Sequence, residues 1–426
     1  MRPGRPDPLP TCLGWTTRAR WSIAILLAIA ITGGLTAPPA AAEILFGERS
    51  DSRIAWIGLR GQPLNPWAVQ LIWSEPPGTD YLKVLRDGRL LDQFSGGLGS
   101  AYTDYGLWPL STYTYTVKAF DDSGNLIASG AVPVLTPIRT SSYPRPFGTR
   151  SFWNVSVPSG PAIDRNSNGM VDAALVPYAS HANLANSDDW GIPVAYSSPL
   201  SEVYKVRCTD GCEDRVSFPV PRYGQPNLGT NAHLVVVDPT ADQELDMWQA
   251  EYDPPTDSWS AAARFVTDSE GWGAMCSLGQ HCSGAVASGF ALLGGVIRPD
   301  EIAQGHIDHA LVLMTPYTRA DYIACPATGS DGIYHDGDAL PEGAQVQLDP
   351  AFHVDAQAWP DWVKVVAHAL QDYGAFVGDT GGTLAVRGEA NLDRGYDAWS
   401  KAGVDDPTDL SLLPWDRMRV LQLVPC

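Results

Sequence analysis

Apolar residues in this chain recur every second position far more often than every third or fourth, and this alternation restricts the fold to one built from strands. Val69, Leu71 and Trp73 alternate with Gln70 and Ile72, and Tyr113, Tyr115, Val117 and Ala119 alternate along a second stretch. Turn signals at Pro76-Pro77-Gly78, Arg86-Asp87-Gly88, Gly96-Gly97 and Ser123-Gly124-Asn125 cut the alternation into short pieces. From Ser151 onward more short strands are expected, at 203–206, 216–220, 234–238, 310–314, 344–348 and 375–377. One clear helical stripe interrupts them: Trp362, Val365, Val366, Ala369, Leu370 and Tyr373, started by Pro360 and stopped by Gly374. A hairpin is expected after it, from a strand at 375–377 through Asp379-Thr380-Gly381-Gly382 to a strand at 383–387.

Residues 1–42 have the form of an export signal. Arg18 and Arg20 precede an apolar run from Trp21 to Leu35, and Ala40-Ala41-Ala42 offers a cleavage site. The run is short for a membrane span. The expectation is therefore a secreted, extracellular protein with no span after cleavage. The formal charge of −20 excludes nucleic acid and anionic membranes as natural partners, because no Lys/Arg cluster with interleaved aromatics offsets it. A polyanionic substrate would need a local basic patch, and no run of sequence supplies one.

Six cysteines follow the signal, Cys208, Cys212, Cys276, Cys282, Cys325 and Cys426, an even count suited to disulfides in an oxidising compartment. Close spacing suggests Cys208 with Cys212 and Cys276 with Cys282, leaving Cys325 for Cys426. Zinc is disfavoured, since the spacing makes no pair of C-x-x-C knuckles and His281 is a lone addition.

Residues 46–136 resemble a fibronectin type III domain. The resemblance rests on a Trp on an early strand, the Y-x-K-V-x-R-D-G strand and turn from Tyr81 to Gly88, and L-x-x-x-T-Y-T-V-K-A-F-D with Leu110 and Tyr113 at the place of that family's corner. It implies a β-sandwich serving as spacer or docking unit. Residues 137–150, rich in Pro, Ser and Arg, read as a linker. Residues 151–426 are expected to form a larger β-sandwich or jelly-roll-like domain with a few helices, so that the chain as a whole is mainly β.

The segment from Val296 to Met314 directs attention to chemistry. A short helix with Pro299 at its start, Asp300 and Glu301 in its first turn and Gly305 at its end runs into a strand opening with Asp308 and His309. Asn231-Ala232-His233 enters the strand 234–238 in the same format. If the two strands are neighbours, both imidazoles share a rim where either can act as base or acid. Glu244, Asp246 and Trp248 share one face of a further strand, an arrangement suited to stacking a sugar ring beside a pair of carboxyls of divided pKa. Arg298 is a candidate for holding a substrate carboxylate, and Tyr322 and Asp379 are further candidate acid or base residues; Glu342 and Asp379 also suit turns. Asp164 to Leu175 imitates a calcium loop but lacks the acid at its last position, so a structural calcium ion is the only cofactor raised, behind an Asx turn before a helix. No G-x-S-x-G, H-E-x-x-H, P-loop or dinucleotide fingerprint occurs.

Ser151-Phe-Trp-Asn154, the HLVVVD strand, the D-x-W-x-A strand, Ala287 to Arg298, I-D-H-A-L, P-E-G and Y-G-x-x-V-x-D together resemble an uncharacterised family of secreted bacterial proteins, from Ser151 to Arg419. The resemblance implies no reaction; it places more weight on His233 and His309 than on Asp308. The leading expectation is a secreted glycoside hydrolase acting on an extracellular polysaccharide, with Asp246 as acid or nucleophile, Asp308 or Asp379 as its partner, and His233 and His309 positioning them. A polysaccharide lyase would use a histidine or Tyr322 as base and Arg298 to neutralise a uronate. The non-catalytic alternative is a glycan-binding or adhesion protein.

Overall fold

The computed structural model describes residues 54–210, 216–276, 284–404 and 408–426. The export signal, Cys212, His281 and Cys282 lie outside the described residues. The chain is mainly β, with several small sheets and few helices. No helix among the described residues is long and apolar enough to cross a membrane.

Residues 55 to 135 form two facing sheets. One holds Arg60–Asn65, Ala68–Ile72 and Ala101–Asp104; the other runs in the order Ala55–Trp56, Leu126–Leu135, Thr112–Phe120, Tyr81–Arg86, Arg89–Ser95. The alternation is realised: Tyr113, Tyr115, Val117 and Ala119 are buried between the sheets, as are Val69, Leu71 and Trp73, while Ile72 is exposed. Asp87 and Gly88 both take positive φ, 50° and 84°, the geometry a two-residue hairpin needs to match strand twist. The corner forms as the backbone N–H of Trp108 donates to the Tyr113 hydroxyl at 2.8 Å, the tyrosine-corner arrangement of such sandwiches. Its buried leucine is Leu107, fully enclosed, and not the expected Leu110, which is 63% exposed and takes a φ of 50°. A left-handed backbone turns that side chain out to solvent.

Leu234–Asp238 pairs parallel with Val194–Tyr196 and antiparallel with Gln243–Trp248, which in turn pairs with Ala263–Asp268. Its two faces serve two cores. Leu234, Val236, Leu245 and Met247 join the same apolar cluster as Leu71, Leu82 and Tyr113 of the sandwich, while Val235 and Val237 pack with Phe152, Trp153, Phe290 and Phe376. Burial on both sides explains why this strand reads as a continuous apolar run. The intervening segment 137–150 also contributes buried residues, Tyr143 and Phe147.

A six-stranded sheet takes the order Met418–Val420, Gln345–Leu348, Ala375–Thr380, Leu311–Thr315, Ala385–Arg387, Asn183–Ala185. The helix Asp361–Asp372 lays Trp362, Val363, Val366, Ala369 and Leu370 into the core beneath it, and Gly374, at φ 72°, ends it with the left-handed residue expected there. The expected hairpin across Asp379 does not form. Leu311–Thr315 lies between its two arms, parallel to Ala375–Thr380 and antiparallel to Ala385–Arg387. The disulfide Cys325–Cys426 joins cysteines 101 positions apart in sequence. Cys208 and Cys276 are also disulfide-bonded.

Candidate functional site

The two histidines do not share a rim, because their strands belong to different sheets. His309 is fully buried, with Nε2 3.0 Å from Glu301 Oε1 and Nδ1 2.8 Å from the carbonyl of Ala310. The nearby Glu301 carboxylate and the Ala310 carbonyl both favour the doubly protonated, charged ring. Burial opposes that charge, but Glu301 and the Ala310 carbonyl outweigh it and raise the pKa. His309 thus fastens the helix Pro299–Gln304 to the strand that follows. His233 is buried too, bonded to the carbonyl of Ala285 at 3.0 Å, and burial followed by the nearby Arg387 charge lowers its pKa to about 3. It is a neutral imidazole throughout the physiological range. Asp308 lies half-exposed beside His306, 3.4 Å away, and Tyr322 stacks under Arg319.

Arg298 is not free to receive a substrate. It is 4% exposed, pairs with Glu389, donates to the Tyr196 hydroxyl at 3.2 Å and lies over the Tyr143 ring. Glu389 also accepts from Arg394 at 2.7 and 2.8 Å, and Arg394 reaches Asp300 at 2.6 Å. Four buried charges therefore neutralise one another where the helix start meets the loop after Ala385–Arg387. The helix acids Asp300 and Glu301 face Arg394 and His309 rather than making solvent-exposed dipole contacts.

Glu244 and Asp246 share a strand face as expected, but that face is covered and not an open sugar platform. Both are at most 1% exposed, and Asp246 accepts from the backbone N–H of Leu292 at 2.9 Å. Trp248 is partly buried against the same core. Burial pushes Asp246 up to about 7, and burial plus the Asp246 charge raises Glu244 well above the carboxylate range, so the pair holds a proton in common. A carboxyl whose pKa is raised in the folded state contributes stability that is complete below its unfolded pKa and is lost as pH rises toward the folded value. Asp246→Asn is expected to abolish part of that loss, about 1.4 kcal/mol for every tenfold change in proton affinity that burial imposes. Urea midpoints for parent and variant at about pH 4.5 and 7.5 check this; parallel curves would show that the pair ionises without penalty.

The site with room for a ligand lies elsewhere, at the edge of the six-stranded sheet. A cleft of about 1160 Å³ is lined by Asn183 to Asp188, Trp190, Asp379–Thr383, Ala385, Arg387, Asn391 and the start of the helix Ala398–Lys401. Arg387 pairs with Asp379 at its floor, and His233 borders it. Burial raises the pKa of Asp379 against the opposing Arg387 charge, with Asp331 adding to the rise. Trp190 is 52% exposed at the mouth. Asp188 is raised by partial burial and by its neighbours Asp189 and Asp397, while Asp397 is held by the Ser400 N–H and the Asn391 amide, both at 3.0 Å.

Behind the floor, Thr380 donates to Asp331, whose backbone N–H donates to Glu342 at 3.2 Å. Glu342 is fully buried; burial and Asp331 push its pKa up to about 10. It does more than shape a turn, since it keeps a neutral carboxyl behind the cleft. Of the residues expected from sequence to form a site, the cleft gathers Asp379 and His233. Asp188, Trp190, Arg387, Asn391 and Asp397 were not anticipated, and no motif marks them, because they come from separate segments. At the calcium-like loop, Asp164 accepts from the Asn166 N–H at 2.8 Å and the helix Ser167–Ala174 begins directly after, the geometry of an Asx turn. Among the described residues no group of three or more His, Cys, Asp or Glu is placed to hold a metal ion.

No family model matches the chain, and no curated protein matches it. Solved structures similar to it are fibronectin type III domains over about a fifth of its length. The sixth such domain of human fibronectin type III domain containing protein 3 is 20% identical, with 23% of this chain and 98% of that one covered and a TM-score of 0.19. The fibronectin(III)-like modules of Clostridium thermocellum CbhA are 12% identical over 20% and 99% of the two chains, TM-score 0.17. The Clostridium perfringens spore cortex lytic enzyme SleM is 11% identical over 20% of this chain and 28% of that one, TM-score 0.17.

Proposed function

We propose that this chain is a secreted carbohydrate-active protein that binds a polysaccharide in the cleft over Asp379 and Arg387 and hydrolyses it. The observation that carries the reading is the lining itself: a half-exposed indole at the mouth, amide and hydroxyl side chains along the walls, and carboxyls at floor and rim. An indole face suits the apolar side of a sugar ring, and the polar walls suit its hydroxyls. In the hydrolytic step Asp379, in its protonated form, gives its proton to the glycosidic oxygen as the C–O bond breaks. Asp188 takes a proton from the water whose oxygen bonds to the anomeric carbon. Export follows from the expected signal in residues 1–42, and the resemblance of residues 151–419 to secreted bacterial proteins agrees with it.

A panel of polysaccharides, scored for new reducing ends and for retention in affinity electrophoresis, tests the reading. Asp379→Asn is expected to lower turnover about a hundredfold while leaving retention in place. Trp190→Ala is expected to weaken retention about tenfold. Unchanged behaviour of both variants on a responsive polymer would remove the cleft from consideration. Retention without reducing ends would favour pure binding, a reading supported by the Arg387 pairing that ties up Asp379. Ultraviolet-absorbing products would favour a lyase, for which His181 and His233 border the cleft, whereas Arg298 and Tyr322 are not among its lining residues.

A further inference from the structure

We propose a second saccharide subsite, in the groove between Trp108, Ser111, Arg139 and Lys401, that receives the carboxylate-bearing sugars of an acidic glycan. The polymer class rests on the glycan reading of the cleft; the site and its preference for charge rest on the groove alone.

Acidic residues outnumber basic ones 48 to 28, and several buried or half-buried arginines are neutralised by a carboxylate. Arg86, Arg222, Arg298, Arg387 and Arg394 all are. Arg139 and Lys401 have no carboxylate partner among the described residues, yet both line one groove of about 500 Å³. The two are far apart in sequence, which is why no basic run announced the patch. Arg139 is half-buried along the groove, and a planar guanidinium is the donor group that suits a carboxylate. The Lys401 ammonium lies 4.6 Å from the centre of the Tyr396 ring and 5.8 Å from that of Trp108, so its charge is held over aromatic faces rather than neutralised.

The backbone that carries Trp108 and Ser111 in this groove is pinned. The hydroxyl of Thr136 donates to the carbonyl of Trp108 at 2.6 Å and accepts from the Ser111 N–H at 3.0 Å. The Trp108 indole lines the same groove as the two cations, beside Lys401, the combination that a uronate ring, apolar on its face and anionic at its edge, would fill. Lys401 closes the helix Ala398–Lys401, whose Trp399 and Ser400 line the cleft. A single short helix therefore borders both places.

The test compares polygalacturonate with the same polymer fully methyl-esterified, in affinity electrophoresis of the full chain at low salt and at about 0.5 M salt. The parent is expected to be retarded by the free acid more than by the ester, with the difference shrinking at high salt. Arg139→Gln/Lys401→Gln is expected to lose about tenfold in affinity for the acid and nothing for the ester. Lys401→Glu should deepen the loss, with each variant's melting midpoint matching the parent's. Trp190→Ala separates the two readings, because it should weaken retention on both polymers alike and leave the preference for the acid intact. A parent that does not distinguish acid from ester, or a double variant that still does, overturns the proposal; neither result touches the cleft, which is judged by Trp190→Ala and Asp379→Asn.

Discussion

Replacing Glu389 by alanine is expected to cost about 3–5 kcal/mol of folding stability, the price of stranding buried charge. Its two carboxylate oxygens accept from Arg298 and from Arg394, and all three residues are at most 4% exposed. Asp300 would still face Arg394, but Arg298 would keep only a tyrosine hydroxyl and a ring. Asp349→Ala provides the contrast, since its partner Arg417 is 52% exposed and water replaces the lost carboxylate, so that the effect should be a small fraction of the first. Urea denaturation followed by tryptophan fluorescence measures both. Equal midpoints for parent and Glu389→Ala would mean that the two arginines find water or other partners on relaxation.

Trp153→Ala is expected to cost a similar amount, about 3–5 kcal/mol, through lost contacts and the cavity left behind. The indole is fully enclosed, donates to the carbonyl of Gly273 at 3.0 Å, and meets Phe290 and Phe376 edge to face at 5.1 and 5.5 Å. A Cβ at Gly273, Gly294 or Gly295 would lie within 2.7 Å of an indole atom, so three glycines have shaped themselves around this ring and cannot follow it inward. Trp153→Phe should lose less, keeping ring packing but not the hydrogen bond to Gly273. A melting midpoint for Trp153→Ala within a degree or so of the parent's would contradict the packing account.

What the sequence disclosed was mostly local. The stripe from Trp362 to Tyr373 and the alternation from Tyr113 to Ala119 depend on neighbours within a few residues, and both elements formed with the expected faces inward. The Leu107 and Leu110 exchange shows how little separates a buried from an exposed position in a corner: a single positive φ at Leu110 decides it. Non-local pairing was hidden. Nothing near Asp379 signals that Leu311–Thr315 will enter between the two arms of the supposed hairpin. His233 and His309 share a local format but enter different sheets, and only the sheets decide what each imidazole meets. Glu244 and Asp246 were correctly placed on one face, yet alternation cannot say whether that face meets water or the chain around Leu292. The cleft itself was visible only through Asp379 and His233, since loops brought together by the fold leave no spacing to read.

The sandwich is bonded to the very loop that forms part of the cleft wall. Arg86 and Arg89 donate to the carbonyls of Arg394 and Leu392 at 2.6 and 2.8 Å, the Tyr396 hydroxyl donates to the Gly106 carbonyl at 3.4 Å, and Asn391 and Asp397 from the same stretch face the ligand space. Here a cut-and-paste exchange would bring in a sandwich without those two arginines, and the loop would lose its mooring even if every residue of the cleft were inherited intact. Sandwich and cleft wall are therefore structurally coupled, and a chimaera would keep the loop in place only if its donor sandwich carried the loop's anchors along with its own fold.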